Sequence, residues 1–372
     1  MQTNARQICL EKGNASKMKQ DIKSMLPNEL SVYFEAIGER TFRAEQVFRW
    51  LHSGAEAFSE MTNLPEKLRD RLSNEFFITV PEMIDKQVSQ LDGTVKYLWK
   101  MSDGNTIESV LMEYEHGYTC CISTQVGCRM NCTFCASAIG GYIRNLTASE
   151  MLDQVLFAQL NAGIRISNVV LMGIGEPLDN FDNVIRFLFL ITHLSGMNIG
   201  SRHITLSTCG IIENIDKLAV CDIQLSLAVS LHAPDDDTRS LLMPVNKTAG
   251  VDELFRACER YYRTTGRRIS YEYAMIDGVN DTPRHADILS RRLRDTGSHI
   301  NLIRLNYVME RSFRSSPPER VKAFTDILKQ RGVNFTMRRK LGGDIDASCG
   351  QLRRRWTLAQ QENLYGDMGN NK

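Results

Sequence analysis

A chain of 372 residues, 42% hydrophobic and 24% charged, can bury a full core, and its mixed composition excludes disorder. No run approaches the roughly 20 apolar residues of a bilayer span, and "MQTNARQICLEKGNASKMKQ" lacks the apolar segment of a secretory signal. A cytoplasmic location without a membrane partner is therefore expected. The formal net charge of +1 hides an asymmetry, because Arg256 to Arg355 holds 22 Lys+Arg against 11 Asp+Glu. The clumps "GRRIS", "SRRLR", "MRRKL" and "QLRRRW" suit a phosphate backbone if they lie near a catalytic face, and are solvated helix faces otherwise.

In chain order, residues 1–22 are polar and aperiodic and read as a flexible tail. Residues 23–80 read as a small helical accessory domain. In "TFRAEQVFRWLHSG", Phe42, Val47, Phe48 and Leu51 fall near helical spacing, and Gly54 stops the helix. Residues 81–117 alternate, with Asp92-Gly93 and Asp103-Gly104 in turn positions, and read as an antiparallel meander linking this domain to the rest. Over residues 118–352 the pattern becomes strand, loop, helix, with strands in "YTCCIST", "SNVVLMG", "RHITLST", "QLSLAVS", "ISYEYAMI" and "INLIRLN". The first helix of this region opens on a capping box, Thr147 to Glu150, with Leu152, Val155, Leu156 and Leu160 on one face. Such units predict an α/β fold, a partial (β/α)6-type barrel whose chemistry lies beyond the C-terminal strand ends. Residues 353–372 read as a basic, then polar tail.

Of ten cysteines, five fall within residues 120–135, "CCISTQVGCRMNCTFC". In a reducing compartment such a cluster more often binds metal or does chemistry than staples the fold. Cys128, Cys132 and Cys135 form C-x3-C-x2-C in the loop after the first barrel strand, and three thiolates there can hold an iron–sulfur cluster while leaving one iron open. Structural zinc wants a fourth ligand, which would have to be Cys120 or Cys121. A thioredoxin-like pair, Cys132 and Cys135, leaves Cys128 unexplained.

With Phe134 before its third cysteine, this motif resembles the signature of the radical S-adenosylmethionine superfamily. "QVGCRMNCTFCAS", "RNLTASEM", "MGIGEPLDN", "TLSTCGI", "SLHAP", "INLIRLN" and "GGDIDASCGQL" are similar to consecutive blocks of the RlmN/Cfr family of RNA adenine methyltransferases, over about residues 23–352. Pro177 and "CASAIGG" look like the adenine-C2 branch (RlmN) rather than the C8 branch (Cfr). Ile174 stands where the family usually has methionine, a swap of similar volume.

The resemblance implies a [4Fe-4S] cluster on Cys128, Cys132 and Cys135 whose open iron chelates S-adenosylmethionine, with two molecules of S-adenosylmethionine used per turnover. Gly175 and Glu176 would receive the amino acid part of that cofactor, although a Gly-Pro turn explains "GIGEP" as well. Ser207, Ser230, Leu231, His232 and Asn306 would contact it at other strand ends. C2 of adenine is a poor nucleophile, so the family first places the methyl group on a cysteine, here Cys349. A radical formed on that methyl group adds to the base, leaving a protein–RNA adduct that Cys121 resolves by forming a disulfide with Cys349. Glu108 matches the residue proposed to take the C2 proton. The implied substrates are an adenosine in the peptidyl transferase centre of 23S rRNA and the one just 3′ of the tRNA anticodon. An electron donor such as flavodoxin and a monomeric enzyme are also implied.

Plainer readings exist for several of these residues. Cys9, Cys120, Cys209, Cys221 and Cys258 are by default core or tail thiols. Glu108 on a meander strand would ordinarily be solvated, and His232 beside a strand end is more often a hydrogen-bonded anchor than a ligand or base. The alternatives in function are a Cfr-type C8 methyltransferase conferring antibiotic resistance and a zinc-stabilised RNA-binding protein without catalysis. An enzyme acting on C2 needs an unpaired adenosine, and the basic C-terminal third with the leading helical domain is expected to grip the RNA.

Overall fold

The alternating segments assemble into one ten-stranded sheet whose spatial order is the order of the chain. The computed structural model describes residues 19–294, 296–345 and 350–358. The strands are β1 (Glu82–Val88), β2 (Val95–Lys100), β3 (Thr106–Tyr114), β4 (Gly117–Cys121), β5 (Ile166–Leu171), β6 (Ile204–Thr208), β7 (Ser226–Ser230), β8 (Ser270–Met275), β9 (His299–Arg304) and β10 (Phe335–Met337). From β4 to β10 every neighbouring pair is parallel. Helices α4 (Ala148–Ala162), α5 (Phe181–Thr192), α6 (Ile212–Ala219), α7 (Asp236–Leu242), α8 (Val251–Thr265), α9 (Pro283–Leu293) and α10 (Pro318–Gln330) form the crossovers. The chain is thus a partial α/β barrel. Its seventh parallel strand, β10, is three residues in "NFTMRRK", too short for any alternation to show.

The meander is not a linker. β1, β2 and β3 pair antiparallel, and β3 pairs with β4 from Val110 opposite Cys121 to Tyr114 opposite Gly117, so the meander extends the barrel sheet. Without it the backbone groups along β4 would lack partners on one side. Both faces of β3 are covered, since Thr106 through Met112 are all buried.

The leading domain packs α1 (Pro27–Ala36), α2 (Phe42–His52) and α3 (Glu66–Glu75) onto the same core as the barrel helices. Val47, Phe48 and Leu51 are buried as the spacing predicts, whereas Phe42, at the first turn of α2, is 45% exposed. On α4 the capping box forms, Thr147 N–H donating to Glu150 at 2.9 Å, and Leu152, Val155 and Leu156 are buried. Leu160, at the far end, is half-exposed and lies over Gly54. The tail expected over residues 1–22 lies mostly outside the described residues, and its last part is not a tail: Gln20–Asp21 pair with Phe76–Phe77, and Ile22 is buried. At the other terminus residues 351–358 are helical, with Leu352 buried. No helix among the described residues is long and apolar enough to cross a membrane.

One buried ion pair ties the leading domain to the barrel. Lys23 Nζ lies 2.7 Å from Asp153 on α4 and donates to the Thr79 carbonyl at 2.6 Å, while Thr79 Oγ1 donates to the other Asp153 oxygen at 2.7 Å. Burial raises the Asp153 carboxyl to about 6 against the opposing pull of Lys23. Lys23→Met strands this carboxylate, and urea unfolding should show a loss of about 3–5 kcal/mol, largely recovered in Lys23→Met/Asp153→Leu.

Candidate active site

A cavity of about 660 Å³ opens at the C-terminal ends of the parallel strands. Its wall takes Cys121 from the end of β4, Gly173, Gly175 and Glu176 after β5, Ser207 to Cys209 after β6, and Ser230 and His232 after β7. Glu272 and Ala274 come from β8, Arg304 to Tyr307 from the end of β9, and Arg338 to Lys340 from the end of β10. Cys128, Cys132 and Cys135 face the same space from the loop after β4.

That loop is shaped locally. Asn131 adopts φ +52°, the left-handed turn asparagine tolerates, and Thr133 N–H donates to the Leu242 carbonyl at 2.9 Å, fixing the loop on α7. Met130 and Phe134 pack against Cys209, Ala233, Leu242 and Met243. Burial pushes the Cys128 thiol up to about 12 and the Cys132 thiol higher, so these groups become thiolates only opposite a strong positive charge. Three cysteines on one loop facing one cavity are a donor set that fits an iron–sulfur cluster. Zinc would need a fourth ligand: Cys120 is fully buried in the core on the opposite side of β4, whereas Cys121 lies on the cavity wall.

The "GIGEP" segment is stitched to the continuation of β4. Gly173 N–H donates to the Ile122 carbonyl at 3.0 Å, and Thr124 and Gln125 N–H donate to the Ile174 carbonyl at 2.8 and 3.1 Å. A Cβ on Gly173 would lie 2.6 Å from the Ile122 backbone, and one on Gly175, at φ +110°, 2.6 Å from Gln125 Cβ. The close approach these glycines permit is therefore the protein's own backbone. Glu176 is buried; its two oxygens accept from Leu178 N–H at 3.0 Å and Cys209 N–H at 2.7 Å, and burial raises its pKa. The side chains of Thr208 and Cys209 bond to it as well, so the carboxylate is held by the protein's own donors.

His232 sits at φ +56°, and its Nδ1 accepts from Ala274 N–H at 3.0 Å, leaving Nε2 to carry the proton. Burial, with Arg239 nearby, lowers its pKa to about 3, so it is a neutral anchor. Phe134 meets its ring edge to face at 5.0 Å. The side chain of Leu231 is buried in the core and off the cavity wall, so only its backbone faces the strand end. Glu108 is also off the wall. It is 3% exposed rather than solvated, lies 2.8 Å from Lys96 Nζ, and accepts from Gly350 N–H at 2.8 Å and Arg353 N–H at 2.5 Å. Cys349 lies outside the described residues, in the gap 346–349; Ile345 and Gln351 on its two sides both line the cavity.

Sequence reasoning missed Cys209, which follows Ser207 in "LSTCG" and lines the cavity, and Glu272, whose Oε1 accepts from Asn301 at 2.8 Å. For Cys209 the available signal was its position just past the end of β6, whereas Glu272 lies inside β8 and gave none. Of the basic clumps, "MRRKL" alone contributes arginine and lysine to the wall. Arg267 of "GRRIS" bonds the Leu225 carbonyl at the opposite ends of the strands, and Arg354 of "QLRRRW" is paired with Glu310 at 2.9 Å.

A barrel of parallel strands with three cysteines on the loop after the first defines the radical S-adenosylmethionine class, and the family model "Radical SAM superfamily" matches residues 122–289. A second, "Ribosomal RNA large subunit methyltransferase N-terminal domain", matches residues 20–78. The chain is 49% identical over 344 residues to a protein of Alkaliphilus metalliredigens named "Probable dual-specificity RNA methyltransferase RlmN", covering 92% of this chain and 98% of that one. A namesake from Lachnoclostridium phytofermentans is 47% identical over 93% of this chain and 98% of its own length. A crystal structure of a radical SAM methyltransferase from Sphaerobacter thermophilus superposes with TM-score 0.84 at 41% identity, covering 89% of this chain and 98% of that one. The chain belongs to the RlmN family of radical S-adenosylmethionine RNA methyltransferases.

The neutral state of His232 has a measurable consequence. Below about 6.5 the unfolded chain binds a proton that folded His232, with its pKa near 3, does not, so this residue makes stability fall as pH drops from about 6.5 toward 3. His52, also buried and lowered to about 3, adds the same sign. Comparing His232→Gln with the parent chain isolates one of the two, and the variant should show a shallower loss of stability between pH 6.5 and 4 in urea titrations.

Proposed function

We propose that this protein methylates C2 of an adenosine in 23S rRNA and in tRNA, in the cytoplasm, through a methyl-cysteine carrier at Cys349 and a covalent RNA adduct released by Cys121. The observation that carries the reading is the convergence on one cavity of Cys128, Cys132 and Cys135, the thiol of Cys121, and both flanks of the segment bearing Cys349. The superfamily implies a [4Fe-4S] cluster and S-adenosylmethionine; when bound, they supply a carbon radical by one-electron cleavage of a sulfonium. Cys128, Cys132 and Cys135 would hold the cluster. Glu176, Ser207, Ser230, His232 Nε2–H and Asn306 would orient the cofactor around it, and two molecules would be used per turnover.

The remaining work falls to the chain's own thiols. Cys349 holds the methyl group that joins the base, and Cys121 attacks the Cys349 sulfur; the carbon–sulfur bond breaks, its electron pair stays on the methylene carbon, which takes up a proton to become the methyl group of the released RNA, and a Cys121–Cys349 disulfide is left on the protein. A cellular reductant such as flavodoxin would provide the electron for the cluster. Removal of the C2 proton needs an acceptor that reaches the base, and in this conformation the Glu108 carboxylate is occupied by three protein donors. Arg304, Arg338, Arg339 and Lys340 ring the mouth of the cavity, where an RNA backbone would pass.

Mass spectrometry of RNA nucleosides after anaerobic reaction, scored against C2- and C8-methyladenosine standards, tests the reading. C2-methyladenosine is expected; the C8 isomer or no product overturns it. In the same preparations Cys121→Ala should accumulate a nuclease-sensitive protein–RNA crosslink, while Cys349→Ala and the double variant should show none. A Cys121→Ala protein that turns over normally removes its assigned role.

The cavity rim makes a separate prediction. Replacing Arg338, Arg339 and Lys340 by Gln should weaken RNA binding and flatten the log–log salt dependence by about 0.7 per lost phosphate contact. Replacing Arg354, held by Glu310, should change the slope far less.

A further inference from the structure

The loop that follows β9 stands beside the cavity and carries an aromatic ring that the core does not use. Tyr307 lines the cavity and is 59% exposed, whereas Tyr97, Tyr261, Tyr271 and Tyr273 are all buried. Two neighbours hold it. The Arg314 guanidinium carbon lies over the ring, 5.0 Å from its centroid. Arg314 Nη1 donates to the carbonyls of Arg311 at 3.2 Å and Phe313 at 3.0 Å, so the cation over the ring is tied to its own loop. On the main chain, Gln351 Nε2 donates to the Tyr307 carbonyl at 2.7 Å. With a cation covering one face, the exposure of the ring lies on its edge and its opposite face.

The ring also has a cationic strip beside it. β9 and β10 are neighbours in the sheet, and Arg304 at the end of the first and Arg338, Arg339 and Lys340 after the second line the same cavity. Cations beside an exposed aromatic ring are the arrangement by which proteins hold unpaired nucleic acid: the charges follow the backbone and the ring takes a base. The adenine of S-adenosylmethionine is the other flat ring expected in this cavity, and Asn306, next to Tyr307, is among the residues that would orient that cofactor. A bound small molecule is mostly enclosed by its site, however, and Tyr307 is more than half open. A base that arrives with its own chain covers such a surface better.

We propose that Tyr307, backed by Arg314, is the platform on which a nucleotide flanking the target adenosine stacks when that adenosine enters the cavity. The proposal rests on the reading of this cavity as the RNA site. Drawing one base out of a stack leaves its neighbour with an uncovered face, and an aromatic ring at the mouth replaces the stacking that was lost. Tyr307 then touches the RNA but no reacting atom, which makes it a positioning residue.

The experiment is a double-mutant cycle between protein and RNA. Parent, Tyr307→Phe, Tyr307→Ala and Arg314→Gln chains with reconstituted cluster are titrated anaerobically with two RNA probes, a tRNA anticodon stem-loop and a 23S rRNA fragment containing the target adenosine. Each probe is used intact and with an abasic nucleotide on the 5′ or the 3′ side of the target. With intact RNA, Tyr307→Ala should bind roughly 5- to 100-fold more weakly than the parent, and Tyr307→Phe within about twofold of it. The log–log salt slope of Tyr307→Ala should equal the parent's, because stacking releases no counterions. With RNA that is abasic at the stacked position, parent and Tyr307→Ala should bind alike, and the smaller loss in Arg314→Gln should shrink as well. A Tyr307→Ala chain that binds intact RNA like the parent overturns the proposal. So does a loss that is equal with and without each flanking base, the pattern of a general disturbance of the loop. If Tyr307→Ala loses affinity for S-adenosylmethionine in equilibrium dialysis and keeps the parent's RNA affinity, the ring serves the cofactor and the proposal fails. Failure of the parent chain to bind either probe removes the RNA reading of the cavity, and the proposal with it.

Discussion

The site depends on a short run of main-chain hydrogen bonds between residues 122–125, which prolong β4, and residues 173–176, which follow β5. Parallel strands end in unpaired backbone groups, and here two neighbouring ends satisfy each other beyond the sheet instead of turning to water. Gln125 reinforces the junction, its side-chain carbonyl accepting Glu176 N–H at 2.9 Å and its amide donating to Asp179 at 2.7 Å. Because the cysteine loop leaves from one side of this junction and the Glu176 carboxylate from the other, the three cysteines and Glu176 have one common origin. Gly173 and Gly175 are required for the two backbones to come this close.

Electrostatics divides the cavity. One part of its wall holds the thiols of Cys128, Cys132 and Cys209, the buried carboxyl of Glu176 and the imidazole of His232, which burial keeps neutral. Its rim at the ends of β9 and β10 carries Arg304, Arg338, Arg339 and Lys340. A cationic rim suits a polyanion held at the mouth of the cavity.

Much of this was legible in the sequence because it rests on local pattern. Six of the seven parallel strands show as apolar runs, and the cysteine spacing speaks for itself. What the sequence hides is long-range. Whether the meander stands apart or completes the sheet depends on the pairing of Val110 with Cys121, which no periodicity reports. Glu108 reads as a solvated strand residue until Lys96 and the amides of residues 350 and 353 are seen around it. Cys209 looks like any small core residue, although its N–H holds Glu176. The basic clumps look alike as strings and differ only in which end of the barrel they occupy.

The contact between Glu108 on β3 and the amides of Gly350 and Arg353 also orders events during synthesis of the chain. A contact that joins residues 108 and 350 closes a loop of 242 residues and cannot form until the strands between them are in place. The amides of Gly350 and Arg353 find their acceptor only on a finished barrel. Completion of the fold is thereby the event that joins the helix at 351–358 to β3, and a chain that stalls partway lacks that contact.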